Sequence, residues 1–316
     1  MTLKYLITGA TGGLGAEVLN HFISNVPTSQ FAVASSTESN RKQFEDRGIA
    51  FRVLNYDDKE SLSRSLTGVE NLLFVSSNTF DNERRAKQHQ NVVEAAKRAG
   101  VGHVWYTSLA FGGLKSNSKA SIQLAHLATE QLLEKSGITY TSIREGIYAE
   151  AFPIFLGWYP DTRTVYLPFE GRAAYTSRIE LGEATARLMI RGGYEKQTVL
   201  LTAQEVVSFQ DIVDVINETT GRNVELKFVS PDEYVRILAE IDQGGKPAAF
   251  FKSVVSWYEA LRDGDGETKD ALMADVLGRE PKGAKEVIRE LLSQDLDYTW
   301  HQNYLNRERN PATVEK

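Results

Sequence analysis

One stretch near the N-terminus limits the fold more than any other. Lys4-Tyr5-Leu6-Ile7-Thr8-Gly9-Ala10-Thr11-Gly12-Gly13-Leu14-Gly15 reads as a buried strand that turns on glycines into a helix. Tyr5 to Ile7 is an apolar strand-like run, and Ala16, Val18, Leu19 and Phe22 recur at helical spacing. Gly9, Gly12 and Gly15 stand where a dinucleotide fold needs permissive φ, close approach of backbone to pyrophosphate, and tight helix-on-strand packing. The free N–H groups and positive dipole end of the helix then receive phosphate on Gly9, Ala10, Thr11, Gly12, Gly13 and Leu14. The spacing is Gly-x-x-Gly-x-x-Gly rather than Gly-x-Gly-x-x-Gly. An ordinary strand-to-helix turn is the competing reading, and the strand and helix flanks favour the cradle.

The 316 residues, 41% of them hydrophobic, suffice for one large α/β domain with a smaller lobe. A formal net charge of -6 with no basic stripe argues against a nucleic-acid partner. Cysteine is absent, which excludes disulfides and thiolate chemistry. The five histidines, His21, His89, His103, His126 and His301, show no metal-binding spacing, so no metal site is expected. The first strand begins almost at Met1, and no apolar run approaches the ~20 residues of a membrane span. A soluble cytoplasmic protein is the expectation.

Strand and helix signals then alternate. Gln30–Ser35, Ala50–Leu54, Asn71–Ser76, His103–Thr107 and Thr139–Arg144 read as strands; helices fall between, including about 84–99 and about 121–135. This rhythm predicts an α/β, Rossmann-type doubly wound parallel sheet. The expected division is a nucleotide-binding domain over 1–150, rejoined by about 177–205. A smaller, mostly helical lobe takes 151–176 and 206–295, and the tail is 296–316. Segment 152–166 is aromatic and proline-punctuated, and 171–176 is loop-like. Ser177 with Glu180, Ser208 with Asp211, and Ser230-Pro231-Asp232-Glu233 mark helix starts.

The second strand ends in Ser35, Ser36 and Thr37, followed by Arg41 and Lys42, where an NAD site would place Asp or Glu. Hydroxyls with nearby cations suit a 2′-phosphate, so NADPH is expected over NADH; solvated charges on the next helix are the other reading of Arg41 and Lys42. Asp57 is either at the adenine pocket or a helix cap with Glu60.

Several blocks together carry a resemblance: Ile7–Gly15, Gly68-Val69-Glu70, Leu73–Ser77, Tyr106-Thr107-Ser108, His126 with Thr129-Glu130, and Gly137-Ile138 to Arg144-Glu145-Gly146. In order and spacing, from Lys4 to about Leu292, they resemble the NmrA-like subgroup of atypical short-chain dehydrogenases. The nearest branch is that of NAD(P)H:quinone oxidoreductase type 2 and triphenylmethane reductase. The resemblance implies that Gly9 to Leu14 cradles pyrophosphate, that Val75, Ser76 and Ser77 lie along the cofactor, and that Gly146, Ile147 and Tyr148 onward pass the nicotinamide. It also implies that Arg178 closes over the cofactor from the C-terminal lobe. Two blocks depart. The family's arginine after the second strand falls near Ser36, and its Asn-Gly-Trp-Tyr-Ser-Glu-Asn segment is Glu145-Gly146-Ile147-Tyr148-Ala149-Glu150-Ala151 here.

Ordinary short-chain dehydrogenases relay a proton through Tyr-x-x-x-Lys. Placed by Glu130, those positions are Ile122 and His126. A general acid contributes ~10²–10⁴-fold, so an enzyme without one suits acceptors that take hydride readily: quinones, cationic dyes or activated enones. His126 is read as a proton donor, a hydrogen-bonding partner of cofactor or substrate, or a structural histidine. Tyr148 either stacks on or donates to the nicotinamide end, or packs. Phe152, Phe155, Trp158, Tyr159 and Tyr166 either wall an aromatic substrate pocket or fill the lobe's core, and Phe250, Phe251 and Trp257 read as core. The expected function is an NADPH-dependent reductase of an electron-poor small molecule, with a homodimer as the candidate assembly. The alternatives are an NADP-sensing regulator with a protein partner and a reductase of one natural-product pathway.

Overall fold

The computed structural model describes residues 2–115 and 117–300. The aromatic residue Tyr304, His301 and the rest of the expected tail beyond 300 lie outside them. The chain opens as β1 (Leu3–Thr8), α1 (Gly13–Asn25), β2 (Phe31–Ser35), α2 (Arg41–Glu45), β3 (Ala50–Val53), α3 (Lys59–Leu66), β4 (Val69–Phe74), α4 (Asn82–Ala99), β5 (His103–Leu109), α5 (Ser121–Ser136) and β6 (Thr139–Glu145). There follow α6 (Phe152–Leu156), β7 (Thr164–Leu167), β8 (Arg172–Ala173), α7 (Arg178–Arg191) and β9 (Gln197–Leu201). The remainder is β10 (Val207–Ser208), α8 (Phe209–Thr220), β11 (Glu225–Phe228), α9 (Pro231–Ile241), α10 (Ala248–Arg262), α11 (Leu272–Leu277) and α12 (Ala284–Gln294).

Seven strands form one parallel sheet in the order β3-β2-β1-β4-β5-β6-β9, with helices on both faces. The strand order reverses at β1, between β2 and β4, so the crevice for a ligand opens at the C-terminal ends of β1 and β4. Alternation along each strand feeds two separate cores: Trp105 packs with Tyr5, Ile7 and Leu73 on one face, while its neighbour Tyr106 packs with Leu6, Leu72 and Phe74 on the other. The last strand, β9, rejoins this sheet beside β6 as its sequence suggests.

The aromatic stretch after Ala151 holds more order than its prolines imply. β7 pairs in parallel with β11, and β8 pairs antiparallel with β10. These short ladders set the floor of a lobe whose core gathers Phe152, Trp158, Tyr175, Phe209 and Tyr258. One helix of that C-terminal stretch leaves it: Met273, Val276 and Leu277 of α11 join the sheet-side core beside α7. Caps fall as the sequence suggests at Ser177, Ser208 and Ser230. At α3 the cap is Asp58, which accepts the Glu60 and Ser61 N–H groups, and not Asp57. Among the described residues no helix is long and apolar enough to cross a membrane.

Candidate active site

The chain leaves β1 through Gly9, whose φ of +67° lies in the left-handed region. The Gly12 N–H donates to the Gly9 carbonyl at 2.8 Å and closes the turn. Gly12 is also the N-cap of α1, and no side chain accepts from the first-turn N–H groups. Those donors suit an anion. A Cβ at Gly15 would strike the Gly9 carbonyl, so α1 approaches β1 this closely only through glycine. A Cβ at Gly13 would strike the guanidinium of Arg178, which therefore lies across the turn. Arg178 reaches it from the start of α7, a helix packed on α1 against the sheet and not part of the C-terminal lobe. Its backbone N–H donates to both Glu150 carboxylate oxygens at 3.0 Å.

A single cleft of about 550 Å³ runs from this turn to an aromatic end. Gly9, Thr11, Gly12, Gly13, Leu14, Ser35, Ser36, Asp57, Val75, Ser76, Ser77, Ile147, Tyr148, Arg178 and His126 all line it. Ala10, Arg41 and Gly146 do not. Ala10 turns into the sheet-side core. Gly146 is a joint: its N–H donates to the Leu201 carbonyl, and a Cβ there would strike the Thr176 hydroxyl. Arg41 is held between Glu38 (2.5 Å) and Glu45 (2.8 Å) and lies over the Phe51 ring, and Lys42 pairs with Asp46 at 2.7 Å. Both cations are thus engaged at helical spacing on the surface, which corrects their expected place at the cleft.

The loop after β4 is held by buried polar side chains. Thr8 Oγ1 donates to the Leu73 carbonyl (2.8 Å) and accepts the Val75 N–H (3.0 Å) and the Tyr56 hydroxyl (2.9 Å). The Ser76 N–H donates to Thr107 Oγ1 (2.9 Å), and the Ser77 N–H donates to His89 Nε2 (3.0 Å). An Nε2 that accepts leaves the proton on Nδ1, 2.7 Å from Thr129 Oγ1. Burial, then the charge of Arg85, pushes His89 down to about 3, so it is a fixed neutral strut. A second imidazole, His89, thus supports the loop beside the crevice, and Arg85 and His89 at i and i+4 on α4 are the sequence feature that marks it. Asp57 accepts from Arg84 (2.8 Å) and Gln88 (2.9 Å), and Gln88 receives the Ser77 hydroxyl. Asp57 is thus a cleft residue with partners of its own.

His126 sits on α5 with its Nδ1 2.8 Å from the Tyr106 hydroxyl and its Nε2 3.5 Å from Arg85 Nη1. Burial holds it well below the usual imidazole range, helped by the charges of Arg85, His89 and Arg144. It is neutral at physiological pH. The Tyr148 hydroxyl donates to Glu145 Oε2 at 2.7 Å. Burial first, and then Glu145, raise this phenol far above the ordinary tyrosine value. Burial also pushes the Glu145 carboxyl up to about 8, against the opposing hydrogen bond of Tyr148.

Phe80, Phe111, Ile122, Ile154, Phe155 and Trp257 line the aromatic end, and Trp300 of the lobe's core also lines the cleft. Of the aromatic residues expected there, only Phe155 arrives. Phe152 and Trp158 are fully buried in the lobe's core, where the Trp158 indole N–H donates to the Tyr298 carbonyl (3.0 Å). The short helix α6 points one side inward at Phe152 and the other at Ile154 and Phe155, which explains the exchange. Tyr159 and Tyr166 line a separate, smaller hollow with Asp161 and Gln243. Trp257 is buried in the lobe's core as expected, and it also walls the cleft. Its indole N–H donates to the Ser121 hydroxyl at 3.0 Å, which fixes α10 against α5.

Comparison with known proteins agrees with this architecture. The chain is 53% identical over 307 residues to an NmrA-like family domain-containing oxidoreductase, flvB, of Aspergillus flavus, covering 96% of this chain and all of that one. It is 30% identical over 268 residues to quinone oxidoreductase 2 of Escherichia coli, covering 78% and 89%. Among solved structures, Citrobacter sp. triphenylmethane reductase complexed with NADP(H) superposes with a TM-score of 0.79 at 28% identity, covering 91% and 99%. The NADPH complex of Escherichia coli quinone oxidoreductase QOR2 gives 0.80 at 27% identity with the same coverage. The NmrA-like family model matches residues 1–276, and the chain belongs to that family.

Proposed function

We propose that this protein is an NADPH-dependent oxidoreductase that passes hydride to a quinone or a similarly electron-poor aromatic or enone acceptor, without a Tyr-x-x-x-Lys relay. The observation that carries the reading is one continuous cleft with a phosphate-type glycine turn at one end and an apolar aromatic box at the other. The turn fits the cofactor: its helix N-terminus has no side-chain acceptor, and a Cβ at Gly13 would intrude on Arg178 above it. Gly9 to Leu14 with Arg178 would hold the pyrophosphate. Ser35, Ser36 and Asp57 would hold the adenosine, Val75 to Ser77 the middle, and Ile147 with Tyr148 the nicotinamide. Bound there, the dihydronicotinamide supplies the hydride. The absence of a carboxylate at Ser35 and Ser36 supports NADPH over NADH, as do the NADP(H)-bound neighbours.

The side chains facing the reacting end support an acceptor that needs no strong acid. Ile122 offers no hydroxyl, and His126 is neutral and bonded to Tyr106. The Tyr148 proton is committed to Glu145. A reduced acceptor whose negative charge is delocalised takes its proton from water. The aromatic box offers a flat apolar surface for a ring. The test is NADPH oxidation against a panel of quinones, cationic dyes and enones, with parallel NADPH and NADH titrations. Turnover of at least one acceptor class with tighter NADPH binding is expected. Tight NADPH binding with no turnover of any acceptor would overturn the reading in favour of a cofactor-sensing regulator.

A further inference from the structure

Three cations are buried among the described residues, and they are not equivalent. Arg144 meets Glu130 at 2.6 and 2.9 Å and donates to the Gly113 and Lys115 carbonyls. Lys246 meets Asp242 at 2.6 Å and Tyr159 at 2.8 Å. Arg85, only 4% exposed, meets no carboxylate among the described residues. It donates to the Thr79 carbonyl, lies 3.5 Å from the neutral His126, and its Nε has no partner. The groups packed around it are imidazoles and a phenol: His89 from its own helix, His126 from α5 and Tyr106 from β5. A guanidinium keeps its proton, so this is a desolvated positive charge left uncompensated. It lines the cleft, as do Phe80, His126 and Trp257, and its contact with His126 sets it beside that residue.

An uncompensated buried cation at a cleft wall calls for an anion, and a planar guanidinium matches a carboxylate fork better than any neutral oxygen. We infer that Arg85 anchors a carboxylate carried by the acceptor itself, so that the preferred substrate is an electron-poor, conjugated small molecule bearing an acid group. The acceptor's ring lies against the aromatic wall that Phe155 and Trp257 form together, their ring centroids 5.9 Å apart, and its acid lies against Arg85. A permanent carboxylate compensates the charge as soon as it binds, whereas a neutral quinone leaves it bare throughout the ground state.

This inference rests on the hydride-transfer reading for the identity of the ligand, but its test does not depend on turnover. The full chain saturated with NADP⁺ is titrated with benzoate and with benzamide, a neutral molecule of nearly the same shape. Benzoate is expected to bind at least tenfold more tightly. Arg85→Gln should bring the two to parity, a loss of roughly 10- to 100-fold for benzoate alone, while NADPH affinity moves less than about threefold. Arg85→Lys, which keeps charge but loses the fork, should retain part of the preference and serves if the glutamine variant does not fold. Equal binding of benzoate and benzamide to the unmodified protein, or a preference that survives Arg85→Gln, would overturn the assignment. A larger loss for NADPH than for benzoate would likewise overturn it and assign Arg85 to the cofactor. If no acceptor turns over yet the benzoate preference holds and vanishes in Arg85→Gln, the reductase reading fails and the anion site stands.

Discussion

At the turn end of the cleft the surface is backbone drawn from one short run, Gly9 to Leu14, capped by a single side chain from α7. The acceptor end draws side chains from the loop before α4, the loop after β5, α5, α6, α10 and the segment after α12. A backbone site tolerates almost no change of residue at its closest contacts, because a Cβ has nowhere to go. A side-chain site can change its occupant one wall at a time. The comparison teaches where specificity for the cofactor and for the acceptor separately reside, and each of the following substitutions strains it at a chosen point.

The largest effect on ligand binding belongs to Gly15→Ala. The new Cβ meets the Gly9 carbonyl, which is backbone and cannot rotate aside, so α1 must shift off β1. Overpacking of this kind costs about 1–3 kcal/mol or more. NADPH affinity should fall more than about 100-fold with a lower Tm, read by fluorescence titration and thermal unfolding. Retained affinity would show that the turn's spacing is not what builds the cradle.

Next comes Trp257→Leu, which opens the aromatic wall while keeping apolar volume. The KM for an aromatic acceptor should rise about tenfold, equivalent to about 1.4 kcal/mol. NADPH affinity should stay within about twofold. Equal losses for cofactor and acceptor would mean that the two ends are not separable.

The same contrast explains what the sequence makes legible. The glycine turn, the sheet and three helix caps are written in neighbouring residues, since turn chemistry and periodicity are local. Phe152 and Trp158 against Phe155 and Trp257 could not be sorted that way. Which face of α6 looks into the cleft depends on its docking on the lobe, and Trp257 reaches the cleft only because α10 crosses α5 through Ser121. Arg41 failed for a related reason. Composition shows a cation near the second strand, but Glu38 and Glu45 at helical spacing claim it first. Arg85 and His89 went unread because burial of a charge is invisible until the fold encloses it.

Between the two ends, Glu145 lies beneath the Tyr148 loop, and its response is to pH. Its carboxyl is raised to about 8 in the folded chain, while the unfolded chain ionises near 4.5. The stability associated with the protonated form is therefore fully present below about pH 4.5 and is lost as pH rises toward 8, by about 1.4 kcal/mol per unit. Glu145→Gln removes the ionisation while keeping an acceptor for the Tyr148 hydroxyl. The Tm of the variant relative to the unmodified protein should climb between about pH 5 and 8 and then level off. A pH-independent offset would contradict the raised carboxyl.

The smallest effect is expected from Arg41→Ala. If NADPH preference comes from the missing carboxylate at Ser35 and Ser36, removing a guanidinium already neutralised by two glutamates should change NADPH affinity less than about threefold and NADH affinity not at all. Exposed pairs of this geometry also hold little stability, so the Tm should barely move. A loss of tenfold or more for NADPH alone would mean that Arg41 leaves Glu38 and Glu45 when a 2′-phosphate arrives. Selection at the turn end would then depend on a mobile side chain, and the backbone-against-side-chain contrast between the two ends would hold for the pyrophosphate but not for the ribose.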